Sequence, residues 1–232
     1  MVNLSSFIRF HAIRSPGDVA IVYQSNRITY AQLWDRTQAV AAFLSAQGIG
    51  PGDVVAVFMK NSAAFMEIAF ATSYLGAVFL PVNYRLAAEE VDYIVRDANA
   101  RIVFADDEFA NIVEGLDNVR LVDEAAQSDM RTLTGAGHPI PDEVLRTPED
   151  LFRLMYTSGT TDRPKGVMHS YQNFYWKNMD HVISLGLSRQ SRLLVTGPLY
   201  HVGAFDLPGV AVLWLGGMMA IHRDFDALAT LA

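Results

Sequence analysis

Met155-Tyr156-Thr157-Ser158-Gly159-Thr160-Thr161-Asp162-Arg163-Pro164-Lys165-Gly166-Val167 is the stretch from which the rest of the chain is read. It runs from a β-prone approach into a turn dense in hydroxyls and back into a β-prone run. Thr157, Ser158, Thr160 and Thr161 put four hydroxyls and a series of backbone N–H groups into one turn. Gly159 has no β-carbon, so a ligand can approach the backbone closely there. Such a turn surrounds an anion with donors, and Lys165 adds a full positive charge beside it. Pro164 stiffens the exit, and Gly166 gives the backbone freedom just before the next strand. A polyphosphate fits this inventory; an ordinary Ser/Thr/Gly turn has the same composition. The Walker pattern does not fit, because Lys165 precedes Gly166 and no Gly-Lys-Ser/Thr triplet occurs.

Outward from the loop, strands and helices alternate. Leu151 to Tyr156 predicts the strand before it and Val167 lies in the strand after it. A helix is expected from Ser170 to Leu185, a strand at Arg192 to Thr196, a helix near Phe205 to Leu215, a strand at Met218 to His222 and a helix after Asp226. Towards the N-terminus, Glu124 to Asp150 is polar and aperiodic, with Gly135, Gly137, Pro139, Pro141 and Pro148, and reads as a long surface connection. Before it, Leu4, Phe7, Ile8 and His11 recur at helical spacing. Val19 to Tyr23 and Arg27 to Thr29 flank Gln24-Ser25-Asn26 as a hairpin. Thr29 and Gln32 have capping-box spacing, and Gly48 ends the helix they open. Asp53 to Met59 is a nearly continuous apolar strand, as in a parallel sheet covered on both faces. Asn61 can cap the next helix, Gly76 ends it, Val78 to Leu80 returns as a strand, and a helix from Ala87 to Ala98 leads to a strand at Arg101 to Phe104. This alternation predicts βαβ units and a doubly wound α/β domain. The expected organisation is a first α/β block over 1–123, a connection over 124–150, and a second block over 151–232 carrying the loop.

The bulk properties narrow the function classes. The chain has 232 residues, 51% of them apolar, 19% charged, and a formal net charge of −7. A nucleic-acid binder would show a basic face instead. There is no cysteine, so neither disulfides nor thiolate metal sites hold the fold, and thiol chemistry needs a thiol from a substrate. Lysine occurs only as Lys60, Lys165 and Lys177. The N-terminus lacks a basic region leading into an apolar core and is not a secretory signal. Ala63 to Val82 is the run nearest to a membrane span, but Gly76 and Pro81 divide it, so a buried helix and strand are expected in a cytoplasmic protein. A hydrolase is excluded at this level, since no Gly-x-Ser-x-Gly elbow or His-Glu-x-x-His pair occurs.

The full string Tyr-Thr-Ser-Gly-Thr-Thr-x-x-Pro-Lys-Gly-Val resembles the signature of the adenylate-forming superfamily: acyl- and aryl-CoA synthetases, luciferases and peptide-synthetase adenylation domains. Other segments resemble that family in the same order. They are Ile28-Thr29-Tyr30-Ala31-Gln32-Leu33, then Leu75-Gly76-Ala77-Val78-Phe79-Leu80-Pro81-Val82-Asn83-Tyr84-Arg85-Leu86, then Pro198-Leu199-Tyr200-His201-Val202-Gly203. The second has the form typical of fatty-acyl and aryl-acid ligases.

The resemblance implies the N-terminal region of the adenylate-forming fold, with mostly parallel sheets flanked by helices, and a ligase that activates a fatty or aryl acid with ATP and passes it to coenzyme A. It implies that Thr157, Ser158, Gly159, Thr160, Thr161 and Lys165 hold the β- and γ-phosphates, with magnesium near Thr157. It gives His201 a place between the adenylate site and the acyl pocket, shaping access or orienting the carboxylate. Phe205 and Trp214 are candidates for that pocket, with core packing as the plainer reading of each; His169 is read as structural, and Arg85 faces solvent or pairs with Glu89. Substrates are thus a small carboxylic acid, ATP and coenzyme A; no nucleic acid or transmembrane segment is expected, and a homodimer is compatible with the reading. The other readings are an amino-acid-activating domain, and a non-catalytic paralogue that has kept the fold.

Two departures stand out. Asp162 replaces a glycine of the family pattern and sets a carboxylate beside the phosphate site. The family's Tyr-Gly-x-Thr-Glu segment, its ribose-binding aspartate and its C-terminal domain with the catalytic lysine have no counterpart in these residues, so a truncated, catalytically incomplete chain is expected.

Overall fold

The structure is a computed structural model that describes residues 2–135, 137–157 and 163–231. Ten strands form two sheets among the described residues. The larger has the order β6-β5-β3-β4-β7-β8, from β3 (Val54–Phe58), β4 (Val78–Pro81), β5 (Ala100–Asp106), β6 (Val119–Val122), β7 (Leu151–Thr157) and β8 (Lys165–Ser170). The smaller has the order β2-β1-β10-β9, from β1 (Val19–Tyr23), β2 (Asn26–Thr29), β9 (Arg192–Val195) and β10 (Met218–Ile221). All pairings are parallel except the hairpins β1–β2 and β7–β8. The expected division into successive blocks does not coincide with the sheets. β1 pairs with β10, and β4 pairs with β7, so each sheet draws strands from both sides of the connection.

Helices α1 (Leu4–Arg14), α2 (Tyr30–Ala46) and α3 (Ala63–Tyr74) pack on one another, and the main core runs through them from sheet to sheet. It joins Ile21 and Met219 of the small sheet to Val55, Val57, Phe79 and Phe104 of the large one. On the far face of the large sheet, Val54, Ala56, Phe58 and Leu80 meet Val91, Ile94 and Val95 of α4 (Ala88–Asp97). β3 therefore buries alternate residues on opposite faces, which is why its sequence reads as an unbroken apolar run. α5 (Tyr171–Ser184) covers the end of the β7–β8 hairpin, Phe174 packing on Phe152.

Local chemistry sets the element boundaries. Thr29 caps α2, its hydroxyl accepting from the Gln32 amide at 3.2 Å while Gln32 Oε1 accepts from the Thr29 amide at 2.9 Å. Gly48 closes the same helix at φ +78°, where a β-carbon is costly. The N-terminus of α3 corrects the sequence reading: Ser62, not Asn61, is the cap, accepting from the Phe65 amide. Asn61 instead donates to the carbonyls of Gly197 and His222 and accepts from the Leu199 amide, tying the end of β3 to the exits of β9 and β10. The connection is also less bare than expected. Helical turns occur at Glu124–Ser128 and Arg131–Thr134, and Val144 and Arg146 are hydrogen-bonded to Asn3 and Tyr74. The helix expected over Phe205 to Leu215 is broken at Leu207 and Pro208, whose dihedrals are non-helical; its regular part is Val210–Trp214. Proline has no amide proton for the helical ladder. No described helix is long and apolar enough to cross a membrane.

Candidate active site

β7 and β8 hold the two ends of the loop in register. Thr157 pairs with Lys165, Met155 with Val167, and Arg153 with His169. Thr157 and Lys165 are both exposed at the open end of this ladder, so a hydroxyl and an ammonium stand opposite each other where the loop begins and ends. Ser158, Gly159, Thr160, Thr161 and Asp162, which carry the rest of the phosphate-loop reading, lie outside the described residues.

The base of the loop is fastened to α4. Tyr156 donates to Asp97 Oδ2 at 2.6 Å, the Tyr93 hydroxyl donates to the Pro164 carbonyl at 3.3 Å, and the Arg163 guanidinium lies 5.3 Å from the centre of the Tyr93 ring. Tyr93 and Asp97 are one helical turn apart and therefore on one face. Burial and the Asp97 carboxylate both push the Tyr156 phenol up from its ordinary range, so it stays protonated and donates. The Tyr156 ring crosses β8 at Gly166, where an added β-carbon would sit 3.1 Å from two ring carbons. Gly166 is needed for this close approach; its φ is not in the left-handed region, so the backbone freedom expected of it is not what the structure uses.

Beneath the loop, Arg153 forms a buried bidentate ion pair with Asp206, at 2.8 and 2.7 Å, and its second Nη lies 2.9 Å from Nδ1 of His169. Its guanidinium is 5.5 and 5.7 Å from the ring centres of Phe152 and Phe205. Burial and the adjacent Arg153 charge lower the pKa of His169, partly opposed by Asp206. His201 caps the short turn Val202–Ala204, Nδ1 accepting from the Gly203 amide at 3.0 Å, which leaves the neutral ring its Nε2–H.

These parts meet in one cavity of about 560 Å³. Thr157, His169 and His201 line it together with Met155, Tyr156 and Tyr200. Pro81 and Val82 also line it, so it opens at the carboxyl end of β4 and β7, where parallel α/β sheets hold ligands. The structure thus brings His201 to the same space as the first residue of the loop. Lys165 stands at the rim by register and is not among the lining residues. Phe205 is in the core, stacked on Phe79 with centroids 5.6 Å apart, and Trp214 packs edge-on against Tyr175. Arg85 lies over the Tyr84 ring. Sequence reasoning missed Arg153, Asp206, Tyr93 and Asp97. The available signal was an arginine inside an apolar strand and an aspartate inside an apolar helix, each of which needs a buried partner.

Comparison with known proteins identifies the family and the fold. The AMP-binding enzyme family matches residues 8–232. A feruloyl-CoA synthase from Amycolatopsis sp. is 35% identical over 233 residues, covering 99% of this chain and 46% of that protein. A 2-succinylbenzoate–CoA ligase from Geobacillus sp. (strain WCH70) is 31% identical over 230 residues, covering 97% of this chain and 44% of the other. Among solved structures, ATP-bound MatB from Rhodopseudomonas palustris superposes with a TM-score of 0.89 at 27% identity, over 99% of this chain and 47% of that one. The chain spans about half the length of the curated relatives it matches. The phosphate-loop string, the His201 segment, the cavity they share and this family match lead to one assignment: the chain belongs to the AMP-binding enzyme family of adenylate-forming proteins.

Proposed function

We propose that this chain forms the nucleotide- and acid-gripping part of an ATP-dependent acid–CoA ligase acting on an aryl or fatty acid. A carboxylate is a poor electrophile because its negative charge repels nucleophiles. Its oxygen attacks the α-phosphorus of ATP, the bond to the β-phosphate oxygen breaks, and pyrophosphate leaves. The thiol of coenzyme A then attacks the acyl carbon, AMP leaves, and the thiol proton passes to solvent. The first step brings an anion to a polyanionic nucleotide, so oriented donors and positive charge matter most. Thr157, Lys165 and the loop between them supply these, and the Tyr156–Asp97 and Tyr93–Pro164 contacts hold the loop's two ends without drawing on its donors. His201, with Nδ1 occupied, has Nε2–H to orient the acid or the developing charge.

Magnesium, when bound, neutralises part of the phosphate charge. Among the described residues no group of three His, Asp or Glu side chains could cage a metal ion. Among the described residues, the Thr157 hydroxyl would be the protein oxygen offered to a nucleotide-borne ion, as magnesium commonly takes one or two protein oxygens alongside phosphates and water.

The observation carrying this reading is that Thr157 and His201 line one cavity. The kinship with CoA ligases for feruloyl and 2-succinylbenzoate groups supports an acid of aryl type. The test is calorimetric titration of the chain with ATP and magnesium, repeated on Lys165→Ala and Thr157→Val. Saturable binding weakened by Lys165→Ala is the expected result. Absent binding, or binding indifferent to both substitutions, would overturn the reading.

A further inference from the structure

The cavity contains a hydrogen-bond donor that the phosphate loop and His201 do not use. His169 lines it, and Nδ1 of His169 is 2.9 Å from an Arg153 Nη. A guanidinium has only N–H groups and stays protonated in proteins, so the arginine donates and Nδ1 accepts. The ring is then the neutral Nε2–H tautomer. The carboxylate of Asp206 holds the guanidinium by two bonds, so this tautomer does not exchange while the ion pair stands. Protonating Nδ1 would set an N–H against the Arg153 N–H, and the lowered pKa of His169 agrees with that. Towards the cavity the ring therefore offers a donor and no acceptor.

The register sets its depth. His169 is four residues along β8 from Lys165, about 13 Å at strand spacing. Apolar groups line the same cavity: Met155 and Val167 on the hairpin, with Val82 and Val202 from other segments. An acid seated with its carboxylate towards the loop would run along this apolar stretch before its far end met Nε2–H. An alkyl chain there would displace water from the donor and leave it without a partner, which carries a penalty.

We propose that His169 is a specificity-determining residue, whose Nε2–H favours acids carrying an ether, hydroxyl or keto oxygen at the end remote from the carboxylate over alkyl-ended acids of the same shape. This rests on the acid-ligase reading above. The probes are two stable acyl-adenylate mimics, the 5′-sulfamoyl-adenosine derivatives of 4-methoxycinnamic and 4-ethylcinnamic acid, which differ in one oxygen for one CH₂. Both are titrated into the chain and into His169→Leu, with ATP as a control ligand. The affinity ratio, methoxy over ethyl, is expected to be about fivefold higher in the unsubstituted chain than in His169→Leu, as one neutral hydrogen bond implies. His169→Gln, which keeps an N–H donor, should recover part of the ratio. Should His169→Leu not melt cooperatively, His169→Phe gives the same comparison. An unchanged ratio overturns the inference while the ligase reading stands. Failure of ATP and both mimics to bind overturns the ligase reading, and this inference with it.

Discussion

Arg153 and Asp206 face each other through two hydrogen bonds of 2.8 and 2.7 Å, and they are only 2% and 4% exposed. The pair joins β7, the strand that leads to Thr157, to the broken helix that follows His201. Nε of Arg153 is buried without a partner, so the ion pair, the His169 contact and the faces of the Phe152 and Phe205 rings compensate the buried charge. Removing one charge strands the other in an apolar site. Asp206→Ala is expected to destabilise the chain by about 3–5 kcal/mol. Replacing both residues, as in Arg153→Met with Asp206→Leu, should cost clearly less than Asp206→Ala alone. Urea unfolding of the three variants checks this, and a double variant weaker than Asp206→Ala would count against it.

Glu67 behaves differently because burial outweighs its partners. It is fully buried in α3, 3.2 Å from Arg36 Nη1, and accepts from the Met130 amide at 3.1 Å. Burial nevertheless pushes its pKa up from 4.5 to about 7, against the pull of Arg36 and the Met130 amide. Arg36 also contacts Asp129, so protonating Glu67 does not leave the guanidinium alone. Between about pH 4.5 and 7 the folded chain keeps a proton there that the unfolded chain releases, so this residue's contribution to stability falls as pH rises and is level above that window. Glu67→Gln has no such titration. Its stability relative to the parent should rise by on the order of 3 kcal/mol between about pH 4.5 and about pH 8. Thermal unfolding across pH gives the answer; parallel profiles would show that Glu67 does not titrate there.

Gly166 owes its place to the Tyr156 ring. A β-carbon there meets two ring carbons at 3.1 Å and the hydroxyl at 3.3 Å, so the ring must shift and the 2.6 Å bond to Asp97 is put at risk. Gly166→Ala is expected to cost about 1–3 kcal/mol through overpacking. Because Gly166 neighbours Lys165 in the ladder, ATP should bind more weakly as well. Tyr156→Phe keeps the ring and loses only the hydrogen bond, at about 1 kcal/mol. Denaturation together with ATP titration separates the two effects; an Ala variant no worse than Tyr156→Phe would remove the packing argument.

The contrast between these residues shows what one chain of letters conveys. The Thr29 capping box, the β1–β2 hairpin and the apolar run of β3 were legible because each is settled within a few residues. The family string from Tyr156 to Val167 was legible because it is long and ordered, although its middle lies outside the described residues. Asn61 was misread because its partners, Gly197, Leu199 and His222, lie more than a hundred residues away, while the local rule for a cap fits both it and Ser62. The interleaving of the sheets was hidden for the same reason, since parallel pairing between β1 and β10 leaves no mark in the turns near either strand. The place of His169 was hidden because its Arg153 contact is cross-strand and the cavity it lines is built from three distant segments.

Asp162 is the position where the chemistry of the loop is most open to challenge. The adenylate-forming pattern has glycine there, and this chain has a carboxylate. Arg163 and Lys165 are its cationic neighbours in sequence, and the structure draws Arg163 towards Tyr93. A unit negative charge at about 4 Å from a phosphate is repelled by roughly 1–4 kcal/mol, depending on the dielectric. Glycine also reaches left-handed conformations that cost aspartate some energy. With a left-handed backbone at 162 both effects would have the same sign, so Asp162→Gly is expected to tighten ATP binding by about tenfold, the equivalent of about 1.4 kcal/mol. The gain should shrink as salt is raised, because screening weakens the repulsion but not the conformational part. Calorimetry at two ionic strengths resolves the two contributions. Equal or weaker binding by the glycine variant would mean that Asp162 is turned away from the nucleotide or is neutralised by a bound cation.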